Sequence, residues 1–159
     1  MNSINTSALE KLLTQMEAAI PNFEAINVSI SSSNIGWHIN HSLLVFIGII
    51  DTTSKSNPKD YNWSFNLKRL VIFTKNKIPR GVAKAPNSVI PKDDYTVESL
   101  SGLLTVAKNK LADLHQMDPK QFFKHPGLGN LKFKQMIQFL AIHTRHHLEI
   151  IWEIEGCKK

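Results

Sequence analysis

The stretch KFKQMIQFLAIHTRHHLEIIWEIE, residues 132–155, decides how the rest of the sequence is interpreted. Its apolar and histidine positions recur at alternating intervals of three and four residues, which is the spacing of one face of an α-helix. The positions on this face are Phe133, Met136, Leu140, His143, His147, Ile150 and Ile154. The spacing predicts a long helix that turns this face inward and carries two histidines at core positions.

His143 and His147 lie one helical turn apart on the predicted inward face, so both imidazoles can reach a single metal ion. The alternative is that each ring is an ordinary core histidine satisfied by hydrogen bonds, which is the commoner role of a lone buried histidine. Two histidines at ligand spacing in one seam favour a metal site. His146 belongs to a neighbouring face, either beside the site or at the surface.

A third ligand is expected from another part of the chain, because two imidazoles alone rarely hold a metal ion. A second predicted helix, from about residue 35 to residue 51, contains His38 and His41. Both positions border plausible inward faces, and periodicity does not choose between them. Burying an imidazole without a partner costs a few kcal/mol. A shared metal ion would supply that partner.

The remaining elements are also predicted to be helical. Ser7 and Thr96 each begin a helix with a capping partner three residues later, and Pro21 ends the first helix. No strand alternation is evident, and the glycines before the last helix indicate a tight turn. The further helices are predicted at residues 7–20, about 64–75 and about 96–116. The sequence therefore predicts one all-α domain over residues 1–159, a four-helix bundle with an additional short helix or long loops.

The composition is that of an ordinary folded domain, with 159 residues, 42% hydrophobic and 20% charged. Nineteen Lys and Arg against thirteen Asp and Glu give a net charge of +6. The basic residues are scattered and no aromatic stacking pattern runs between them, so no specific nucleic-acid partner is expected. A basic loop with Lys77, Arg80 and Lys84 is a candidate for attracting an anionic substrate.

The sequence gives no sign of export or of membrane insertion. Its longest apolar run, residues 43–50, is much shorter than the ~20 residues that span a bilayer. The first residues lack the basic and apolar segments of a signal peptide. Cys157 is the only cysteine, which fits a reducing compartment. We therefore expect a cytoplasmic protein without a membrane partner.

Two segments together resemble a known family. The segment 36–43, GWHINHSL, and the segment 143–151, HTRHHLEII, look like the two ligand segments of the DinB/YfiT-like superfamily of metal-dependent hydrolases and thiol transferases. The segment 125–131, HPGLGNL, and the loop 78–81, IPRG, resemble an uncharacterised branch of that superfamily. The resemblance extends over most of the chain.

The resemblance implies a four-helix bundle of DinB-like type, often a homodimer, that binds a divalent ion such as nickel or zinc. Carried over residue by residue, the pattern assigns His38, His143 and His147 as metal ligands, and His41 stands where relatives often have an acidic or amide residue. The implied activity is that of a hydrolase or S-transferase acting on a small-molecule substrate or a low-molecular-weight thiol. The alternative is a non-enzymatic dimeric bundle whose metal site is vestigial or purely structural.

Overall fold

A computed structural model describes residues 6–81 and 95–157 of the chain. These residues are mostly helical and include one small two-stranded sheet. The predictions of five helices are confirmed, with ends that differ by a few residues. The helices are α1 (Ser7–Ala19), α2 (Ile35–Ser54), α3 (Leu67–Lys75), α4 (Val97–Asp113) and α5 (Phe133–Ile154), and the strands are β1 (Phe122–His125) and β2 (Gly129–Lys132). No helix within the described ranges is both long enough and apolar enough to cross a membrane.

Side-chain caps define where α2 and α4 begin. The carboxamide oxygen of Asn34 accepts a hydrogen bond from the backbone N–H of Trp37, and Thr96 and Ser99 cap α4 reciprocally, as predicted. The predicted cap at Ser7 is wrong by one residue, because Thr6 precedes the helix and its hydroxyl donates to the carboxylate of Glu10. Helix ends commonly differ by this amount.

Four helices share the apolar core. α2 packs against α4 and α5, and α1 packs against the same two helices from another side. The seam of α5 is buried over most of its predicted inward positions, including Phe133, Met136 and Leu140. This packing places the C-terminal half of α5 directly beside the N-terminal half of α2, where the histidines lie.

The β-hairpin is a feature that the all-α prediction missed. β1 and β2 pair antiparallel, with Phe122 opposite Lys132 and His125 opposite Gly129. Each strand has four residues and one buried side chain, so the alternation is too short to be recognised in the sequence. Gly129 adopts a φ of +72°, which L side chains rarely adopt, at the end of the turn.

Helix α3 begins later than predicted and contributes little to the core. Its buried residue is Arg69, whose guanidinium donates to the backbone carbonyls of Leu128, Asn130 and Ser64 and so fastens the hairpin. The apolar side chains that predicted this helix, such as Phe65 and Leu70, are 69% and 54% exposed.

The N-terminus of α2 is held against residues that precede α4. The Tyr95 hydroxyl donates to the Asn34 carboxamide at 2.6 Å, and its ring covers Gly36 so closely that a Cβ there would lie 2.4 Å from ring atom Cε2. The backbone N–H of Gly36 also donates to Phe23. These contacts fix the start of α2 one turn before its first histidine.

Candidate metal centre

Three histidines converge between α2 and α5. The candidate ligand nitrogens of His41, His143 and His147 all lie within 4.8 Å of one another. The ring centroids are 4.8 Å apart for His41 and His147, 4.7 Å for His143 and His147, and 5.4 Å for His41 and His143. The four-residue spacing on α5 supplies two of these rings, and the packing of α2 against α5 supplies the third.

His38 lies beside this three-histidine cluster and is not a member of it. Its Nδ1 is 3.1 Å from Nδ1 of His147, and its Nε2 is 2.9 Å from the hydroxyl of Ser31. The family resemblance assigned His38 as the third ligand, whereas periodicity left His41 equally open. The structure brings His41 together with His143 and His147, and it brings His38 into hydrogen-bonding contact with His147.

The surroundings of the histidines favour neutral imidazole. His41 and His147 are buried, and His143 is half-buried. Burial is the largest cause that holds the pKa of His143 and His147 well below the usual range, and neighbouring histidines lower both further. Burial likewise lowers the pKa of His38 to about 4. Neutral imidazole is the form that binds a metal ion, so these rings are ready to act as ligands at neutral pH.

Trp37 fixes the orientation of the His41 ring. The two rings stack, with centroids 5.0 Å apart and planes inclined by 13°. The same indole lies edge-on to His38. Sequence analysis did not identify Trp37 as part of the site, although its position four residues before His41 on a helix was a usable signal.

Charged residues at the outer side of α5 are already paired. The guanidinium of Arg80 makes two hydrogen bonds to the carboxylate of Glu153, at 2.8 Å and 2.7 Å, and Lys77 lies 3.6 Å from Glu149. The Glu153 carboxylate raises the pKa of Arg80 further. Two cations of the predicted basic loop therefore serve to fasten residues 77–80 to α5, and the third, Lys84, lies outside the described residues.

His125 is held apart from the cluster by the ring of Phe139. Its ring lies edge-on to Phe139, whose centroid is 5.9 Å from that of His143. Nδ1 of His125 accepts hydrogen bonds from the backbone N–H groups of Gly127 and Leu128. The ring therefore organises the hairpin turn.

The cluster fits a divalent ion that accepts nitrogen ligands. Three neutral imidazoles with a fourth position left open are the donor set of catalytic zinc sites, and imidazole also suits nickel. A tetrahedral ion with bonds of ~2.1 Å separates its ligand nitrogens by about 3.4 Å. The 4.8 Å limit on their separation therefore requires only small side-chain adjustments. Within the described ranges, no carboxylate belongs to the cluster.

Comparisons of the chain with protein-family models, with curated proteins and with solved structures found no match. The geometry of the cluster therefore carries the functional argument.

Proposed function

We propose that this chain binds one divalent metal ion through His41, His143 and His147. We further propose that, with this ion bound, it acts as a hydrolase or as a thiol S-transferase. Zinc and nickel are the ions that the imidazole ligands favour. The observation that carries the proposal is the approach of the three nitrogens to within 4.8 Å from helices that are distant in sequence. We further propose that α1, α2, α4 and α5 form a bundle of the DinB-like type, in a homodimer.

Packing alone is a poor explanation for the cluster. Buried polar groups are placed in a core for a reason, and here two helices bring the ligand nitrogens of three imidazoles to within 4.8 Å of one another. Burial, and after it the neighbouring histidines, lower the pKa of both His143 and His147, which opposes protonation of these two rings. A metal ion would serve as the common partner for all three lone pairs.

The chemistry follows from the open coordination position. When bound, the ion supplies Lewis acidity that lowers the pKa of a water or thiol at that position toward neutrality. The chain itself contributes the orientation of the three rings, through the stacking of Trp37 on His41 and the helical spacing of His143 and His147. The partial exposure of His143 and Trp37 leaves an approach for a small-molecule substrate or a low-molecular-weight thiol.

The first experiment is metal analysis of protein purified without chelator and without an affinity tag that contains histidine. We expect about one equivalent of zinc or nickel per chain, lost in His143→Ala and retained in the control His146→Ala. Absence of metal after reconstitution with both ions would contradict the proposal.

The second experiment separates enzyme from binding protein. The metal-loaded chain is assayed with ester and amide substrates and with thiols paired with electrophiles, and we expect turnover in one panel that disappears in His143→Ala. Stoichiometric metal without turnover in any panel would favour the non-enzymatic bundle with a structural or vestigial site.

A further inference from the structure

We infer that His38 is a positioning residue that accepts a hydrogen bond from Nδ1–H of His147 and thereby presents Nε2 of His147 to the metal ion. The inference rests on the proposed metal site. It is carried by the 3.1 Å separation of the two Nδ1 atoms, between a ring of the cluster and a buried ring beside it.

The position of the proton on each ring determines which Nδ1 donates and which accepts. A neutral imidazole has one N–H donor and one acceptor nitrogen, so one of the two Nδ1 atoms must donate to the other. If His147 accepted at Nδ1, its proton would lie on Nε2 and would block metal binding there. If His147 donates from Nδ1, its Nε2 keeps a free lone pair. Metal binding at Nε2 therefore requires His38 to be the acceptor.

Ser31 completes the same arrangement. When Nδ1 of His38 accepts, its proton lies on Nε2, which is 2.9 Å from the hydroxyl oxygen of Ser31. That oxygen already accepts a hydrogen bond from the backbone N–H of Ser33 at 3.1 Å, and it has a second lone pair. The direction is thus His147 to His38 to Ser31, and each of the two ring N–H groups has an acceptor.

The same contact argues against His38 as a fourth ligand. Two nitrogens about 3 Å apart can share an ion, but both nitrogens of His38 already face other partners, His147 and Ser31. The ligand cluster that meets the distance requirement contains His41 and not His38. His38 therefore acts on the metal through His147, as ring-orienting partners of metal-bound histidines commonly do.

The test is a titration of the chain with cobalt(II), monitored by visible absorption. The wild type is compared with three variants. His38→Leu removes the acceptor and keeps the volume, His38→Asn restores an acceptor oxygen near the place of Nδ1, and His41→Asn removes a proposed ligand. We expect His38→Leu to bind one equivalent about 10–100-fold more weakly with unchanged absorption bands. His38→Asn should recover most of that affinity, and His41→Asn should lose the bands.

Two outcomes would overturn the positioning role. If both His38 variants lose the bands as His41→Asn does, His38 is itself a ligand. If His38→Leu binds cobalt as tightly as the wild type, the hydrogen bond has no influence on the site. Ser31→Ala, which removes only the outer acceptor, should weaken binding less than His38→Leu.

A metal-independent measurement separates failure of this inference from failure of the proposed function. Nitrogen-15 chemical shifts of the metal-free wild type should show the proton of His147 on Nδ1, and His38→Leu should abolish that preference. A proton on Nε2 would overturn the inference even if metal binds. A wild type that binds no cobalt, yet shows the Nδ1 proton, would refute the metal site and leave the hydrogen bond intact.

Discussion

Replacement of His143 with alanine should remove most of the stabilisation that a metal ion gives to the folded chain. A ligand that binds only the folded state adds RT ln(1 + [L]/Kd), about 2.7 kcal/mol at a free concentration of ~100 Kd. For a chain of this size that corresponds to a rise of about 5–11 °C in Tm. If the loss of one ligand weakens binding ~1000-fold, the same concentration adds less than about 0.1 kcal/mol.

The structure supplies a matched control for this measurement. His143 and His146 are both half-buried on α5, so each truncation removes an imidazole from the same helix. His146 lies outside the three-histidine cluster. Each variant is compared with itself in chelator and with metal, so that its loss of packing cancels and the gain in Tm on adding metal reports on coordination.

The assay is differential scanning calorimetry of both variants and the wild type, in chelator and with zinc or nickel at equal concentrations. The wild type and His146→Ala should gain the full increment, and His143→Ala should gain almost none. An equal gain in all three proteins would refute the assignment of His143 as a ligand. A loss of the gain in His146→Ala would place the ion elsewhere on the helix.

Three further changes test the scaffold around the site. Gly36→Ala should destabilise the fold by about 1–3 kcal/mol in urea unfolding, because its Cβ would meet Tyr95 at 2.4 Å, whereas Gly102→Ala in open space on α4 should not destabilise it. Arg69→Met should lower the free energy of unfolding by about 1–3 kcal/mol and speed amide exchange in the hairpin, because three backbone carbonyls lose their hydrogen-bond donor. Unchanged amide exchange would contradict this expectation. Burial lowers the pKa of His125 to about 4 from an ordinary 6.5, so the stability present above pH 6.5 should fall as the pH drops toward 4. In the same assay His125→Asn, which does not titrate, should lose less stability between pH 6.5 and pH 4.

The seam of α5 was predictable because its signal is local and long. Seven positions at helical spacing identify both the inward face and the two histidines on it, and the structure extends the helix from Phe133 to Ile154. The capping pair at Thr96 and Ser99 was equally local, and the structure contains it.

The choice between His38 and His41 was not available from the sequence. Both side chains are buried, at 4% and 5% exposure, so each satisfies the pattern of an inward-facing residue. Which ring meets His143 depends on the rotation of α2 against α5, and that rotation is set by contacts among several elements, including the packing of Tyr95 on Gly36. Periodicity carries no information about such contacts.

The sequence missed the hairpin and, although it predicted helix α3, it did not predict how exposed that helix is. The hairpin has too few buried positions to produce a pattern, and it is bound by Arg69, which comes from a distant segment. Helix α3 has a clear apolar pattern, but Leu67 and Leu70 are exposed and its other apolar side chains are at most partly buried, since the core is formed mainly by the four longer helices. Hydrophobic spacing indicates a helix without stating what covers it.

The contact between His38 and His147 spans 109 residues of chain. Such distant pairings form slowly, because the intervening segment must first be brought into place against its conformational entropy. A refolding chain can thus form α2 before α5 is in place, and the proposed metal site lacks two of its three imidazoles until α5 docks. The rate at which metal binds during refolding would therefore report the rate at which α5 docks.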